Sequence, residues 1–70
     1  MSNSRYFIYA TFKEKLGTRI KEKQISWITE LSDNFTIDDV LLLMKYAIVV
    51  NYKSKFESIE DLVIENVSKL

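Results

Sequence analysis

The chain has no cysteine, no histidine, no proline and a single glycine, Gly17. Each absence closes off some chemistry. Without cysteine there is no disulfide, no thiolate metal ligand and no thiol nucleophile. Without histidine the commonest general acid–base group and transition-metal ligand is gone. Carboxylates remain as ligands for a hard cation, but EF-hand spacing does not occur, nor does a Gly-rich phosphate loop. The sequence therefore predicts no metal, no cofactor and no catalytic residue. The shortage of glycine and proline leaves turns to Asp, Asn and Ser, and predicts few of them. The longest apolar run, Val40 to Val50, is too short to span a bilayer and is interrupted by Lys45. No signal peptide is evident, so the expectation is a cytoplasmic protein with no membrane partner.

What is present suits one small domain spanning 1–70. Hydrophobic residues make up 47% and charged residues 29%, a folded rather than a disordered composition. A chain of this size buries only about 60% of its unfolded surface, which leaves a thin stability margin. Small scaffolds add a disulfide, a metal or a partner to such a core. With the first two unsupported, self-association is the expected supplement. Ten basic and ten acidic side chains cancel, yet they are not evenly spread. Residues 1–30 hold six basic against three acidic side chains, and residues 31–70 hold four against seven. Oppositely charged halves attract, within one fold or between subunits.

The pattern of apolar residues predicts an all-α fold, a bundle of four short helices at about 5–16, 19–33, 37–51 and 59–69. In the first, Ile8, Tyr9, Phe12 and Leu16 share a helical face, with Ser4 as N-cap and Gly17 as stop. A strand is the alternative for this segment, because aromatic and β-branched residues fill it. In the second, Ile20, Trp27, Ile28 and Leu31 line one side. The third begins Thr36-Ile37-Asp38-Asp39, a capping box with Asp in place of Glu. The fourth starts similarly at Ser58-Ile59-Glu60-Asp61, and places Ile59, Leu62, Val63, Val67 and Leu70 together.

The third helix carries the functional expectation. On a helical wheel Ile37, Val40, Leu41, Met44, Ala47 and Ile48 form one face, while Leu42, Leu43, Tyr46, Val49 and Val50 form a second. A helix apolar on both sides must be covered on both sides. Either three neighbouring helices enclose it, or its second face meets another chain, with a strand over Tyr46–Lys53 as the third reading. Trp27 reads as the largest core residue of its segment rather than as an interface anchor. A helix-turn-helix reader of DNA is disfavoured, because that motif needs a polar second helix and this one is apolar. Paired acids at Asp38-Asp39 and Glu60-Asp61 are accounted for as helix starts and indicate no acid–base pair.

A basic stretch, Lys13, Lys15, Arg19, Lys21 and Lys23, supplies a second candidate, a phosphate-binding strip. Glu14 and Glu22 offset it. An Ile/Trp-bearing segment, then a capped apolar helix ending Ala47-Ile48-Val49-Val50-Asn51, then Phe56-Glu57-Ser58-Ile59, resembles the C-terminal helical domain of bacterial replication-initiation proteins of the DnaD type. The resemblance covers about half the chain and implies a helical fold with a replication-linked role. The sequence thus predicts a non-enzymatic interaction module that docks Leu42, Leu43, Tyr46, Val49 and Val50 onto another protein or a second copy of itself. The alternative is a replication or transcription accessory that contacts nucleic acid through 13–23.

Overall fold

The computed structural model describes residues 2–70. It holds three strands and one α-helix: β1 (Asn3–Leu16), β2 (Arg19–Ser32), α1 (Ile37–Tyr52) and β3 (Ile59–Lys69), with a 3-10 turn at Phe56–Ser58. The strands form one antiparallel sheet in the order β2-β1-β3. The all-α expectation is therefore overturned, and with it the helical bundle. Of the four helices expected, only the third is present. Segments 5–16, 19–33 and 59–69 are strands, and the strand alternative for the first segment is the one observed. The helical fold implied by the DnaD-type resemblance falls with them, since Phe56–Ile59 leads into a strand.

The physical reason lies in how each strand distributes its apolar residues. On β1 the even positions Tyr6, Ile8, Ala10 and Phe12 are buried, which is the period of two that a half-covered strand requires. Phe7 and Tyr9, half-buried on the opposite face, blur that period and make a helical face plausible on a wheel. On β2 the inward residues include Ile25 and Trp27, whereas Ile20 and Ile28 point away and are 57% and 52% exposed. A helical reading of 19–33 relies on those two outward residues. On β3 the register slips twice against β1: Thr11 pairs with Val63 but Lys13 with Glu60, and Tyr9 pairs with Asn66 but Ala10 with Ile64. Each slip inserts an extra residue, the signature of a bulge. Asp61 takes a left-handed φ of 50° at the first of them. The core-packed residues Ile59, Leu62, Ile64 and Val67 are consequently spaced three, two and three apart, which imitates a helix.

Gly17 and Thr18 join β1 to β2, with Leu16 opposite Arg19. Gly17 has φ +64° and Thr18 does not share that sign, the pattern of a II′ turn with glycine first. Its role is a hairpin turn, not a helix stop. Thr36 starts α1 with both halves of the capping box made: the Asp39 N–H donates to Thr36 Oγ1 at 3.2 Å, and the Thr36 N–H donates to Asp39 Oδ2 at 3.1 Å. The helix ends at Lys53, which is left-handed at φ 54°.

α1 lies on one face of the sheet. Val40, Met44, Ala47 and Ile48 pack onto Ile8, Ala10, Phe12, Ile25 and Ile59, which together form the core. At about 1.5 Å per residue α1 is about 24 Å long, whereas the molecule extends 44 Å. The helix therefore covers the middle of the sheet and leaves the β1–β2 tip bare, with residues 15–22 all exposed. Two polar clusters fasten the ends of this arrangement. Near one end, Asp33 accepts from Ser2 Oγ at 2.6 Å and Tyr6 Oη at 3.0 Å, and Lys69 Nζ lies 3.7 Å away. Near the other, Glu14 is only 5% exposed and pairs with Lys23 at 2.7 Å while accepting from Ser54.

Candidate docking surface

The outer side of α1 is set by the same helical geometry that buries its inner side. Residues four apart fall on one ridge. Val40, Met44 and Ile48 descend into the core; Leu42, Tyr46 and Val50 rise on the opposite side. These three are 52%, 57% and 73% exposed. Leu43 and Val49 flank the ridge and are half-buried, both packed against the edge of the core. Of the residues expected on the inner face, Ile37 is instead exposed and Leu41 half-buried.

Two shallow grooves border the ridge. On the β2 side, Trp27, Leu43, Tyr46, Ala47 and Val50 line a groove of about 190 Å³. On the β3 side, Leu41, Leu42, Lys45, Phe56 and Leu62 line a wider one of about 350 Å³, closed below by Ile59. Phe56 stacks at a tilt on Tyr46, with centroids 6.0 Å apart, and Lys45 Nζ sits 4.9 Å above the Phe56 ring. The Lys45 ammonium is thereby held against the Phe56 ring. Phe56 is a surface contributor that a helical reading does not reveal, and Trp27, expected as a core residue, is half-buried against the core and lines the first groove. Trp27 belongs there because β2 is a strand beside α1, and Phe56 because the 3-10 turn folds back beneath it. A signal for Phe56 existed in the sequence: a large aromatic just after a polar Lys53-Ser54-Lys55 connection.

The basic stretch is distributed differently. Lys13, Lys15, Arg19, Lys21 and Lys23 all fall near the β1–β2 hairpin tip. Lys13 pairs with Asp61 at 3.5 Å and lies opposite Glu22. Lys23 is engaged by Glu14 and lies 5.5 Å over the Tyr52 ring. That leaves Lys15, Arg19 and Lys21 on the exposed tip, and the five do not act as one helical strip. A depression of about 690 Å³ lies here between Lys13, Glu22, Gln24 and Asp61, wide open to solvent.

The carboxylates with perturbed acidity belong to the fastening clusters rather than to a cleft. Hydrogen bonds from Lys23 and then Ser54 hold Glu14 below its ordinary pKa, against the opposing effect of its burial. Hydrogen bonds from Ser2, Ser4 and Tyr6, with Lys69 nearby, lower Asp33 from its ordinary 3.8 to about 2. Burial, then Asp33 itself, pushes the Tyr6 phenol up. Among the described residues no three Asp or Glu converge as a metal site. No described helix is long and apolar enough to cross a membrane. No family model, curated protein or solved structure matches the chain.

Proposed function

We propose that this protein is a non-enzymatic interaction module that works by docking the outer face of α1 onto another protein chain. The observation that carries this reading is the ridge Leu42–Tyr46–Val50, exposed on a helix whose other side already covers the sheet. Exposed apolar area of this kind is unfavourable in water and favourable once covered, at roughly 25 cal/mol per Å² removed from solvent. The Tyr at the centre of the ridge is a residue type enriched at interface hot spots. The flanking grooves supply relief into which a partner's side chains fit.

A photo-crosslinking amino acid placed at Tyr46 tests the reading inside the native cell. The same amino acid at Tyr9, on the open face of the sheet, is the control. Protein adducts from position 46 that disappear with Leu42→Ser and Val50→Ser support docking through this face. Adducts from position 9 alone sink it.

Contact with nucleic acid ranks second. What favours it is the clustering of Lys15, Arg19 and Lys21 on a projecting hairpin. Such binding loses affinity steeply with salt. Absence of any mobility shift with DNA or RNA fragments at low salt removes it.

A further inference from the structure

We infer that the occupant of the α1 face is a second copy of this chain, laid antiparallel on the first about a two-fold axis at Tyr46. The inference rests on the docking reading above and names its partner.

A two-fold interface is self-complementary: each residue must suit its own symmetry mate. For antiparallel helices crossing at Tyr46, a residue a given number of positions before it meets the residue the same number after it. Four positions either side stand Leu42 and Val50; three either side stand Leu43 and Val49; Tyr46 meets itself. These five residues of α1 therefore map onto one another under reversal. Lys45, one position before, has its ammonium over the Phe56 ring.

Charge fixes the direction. Asp38 and Asp39 occupy the first turn of α1, and Lys53 ends it, with Lys55 close behind. Seven positions either side of Tyr46 stand Asp39 and Lys53. The antiparallel arrangement brings acids of one copy to lysines of the other at both ends. A parallel arrangement stacks acid on acid and lysine on lysine. Antiparallel helices also set opposite dipole ends side by side.

Introduced cysteines test the geometry cleanly, because the chain has none of its own. Circular dichroism first establishes that each variant keeps the fold. Under mild oxidation at micromolar concentration, Tyr46→Cys should give a disulfide-linked dimer. A mixture of Leu42→Cys and Val50→Cys chains should give about tenfold more cross-link than either alone, since a disulfide needs closely opposed Cβ atoms. Cross-linking of Leu42→Cys with itself and Val50→Cys with itself means a parallel pair and overturns the inference. So does preferential linkage of Ile28→Cys, on the open sheet face. Sedimentation equilibrium of the unmodified chain should report a dimer. A monomer overturns the second copy as occupant. In that case photo-adducts from position 46 to a foreign chain still sustain docking, whereas no adduct there at all removes both.

Discussion

At Thr36 the backbone passes from extended to helical within one residue, and two reciprocal hydrogen bonds make that change possible. Thr36→Ala deletes the hydroxyl acceptor and leaves an Asp39 N–H to water. The expected cost is about 1 kcal/mol in urea unfolding, with an unchanged m-value. Gly17 offers a purely conformational counterpart. A Cβ added there meets nothing within 4 Å, so space does not limit substitution. Only the positive φ resists, and Gly17→Ala is expected to lose about 1 kcal/mol, with Gly17→Asn losing less. Equal losses for Ala and Asn contradict this account. Thr36 and its box were legible in the sequence because capping is decided within four neighbouring residues. Gly17 was not, because a glycine after thirteen unbroken residues serves as a helix stop or as a hairpin turn equally well.

The elements differ in how openly they announce themselves. The bounds of α1 follow from its cap and from the Asn51-Tyr52-Lys53 end, both local. Strands need a partner to exist, and no local feature supplies the partner. β1 hides its period of two behind Phe7 and Tyr9 on the open face, and β3 hides its own behind two bulges. A pair of substitutions on β2 separates the readings directly. Ile25 is 5% exposed and Ile28 52%. Ile25→Ala should cost about 2–5 kcal/mol and Ile28→Ala under about 1 kcal/mol, measured as shifts in the denaturation midpoint. A helix over 19–33 that buried Ile28 would reverse the order. The docking face stands between these cases. Its five helical residues are placed by a period of 3.6 that the sequence displays. Trp27 joins them only through β2, and Phe56 only through the turn before β3, so tertiary structure had to supply both.

Over the whole molecule, pH acts through the two fastening clusters. Asp33 and Glu14 both have folded pKa values below their ordinary ones. A depressed carboxylate contributes stability that is fully present above its unfolded pKa and is lost as pH falls through the folded value. The loss from Asp33 therefore runs from about pH 4 down to about pH 2. Glu14 contributes in the same direction, starting below its ordinary value of 4.5. No histidine titrates near neutrality. The thermal midpoint should be level between about pH 5 and 8 and fall below that window. Asp33→Asn and Glu14→Gln should each lower the midpoint at neutral pH and flatten the acid limb. A midpoint that falls between pH 8 and 6 contradicts the assignment.

The strand order β2-β1-β3 also governs how the chain must assemble. β1 sits in the middle of the sheet yet leaves the ribosome before either of its neighbours. Its hairpin with β2 closes across two residues and can form within microseconds. Its other edge waits for β3, whose partners lie some fifty residues downstream: Tyr9 must find Asn66, and Ala10 must find Ile64. Contacts this distant slow folding, because the loop must close before the pairing rewards it. During that interval the free edge of β1 carries unpaired amides beside Phe7 and Tyr9, an arrangement that invites strand addition from another chain. Pairing of residues 59–69 with β1 thus closes the longest strand-pairing loop of the fold and covers the edge otherwise open to strand addition.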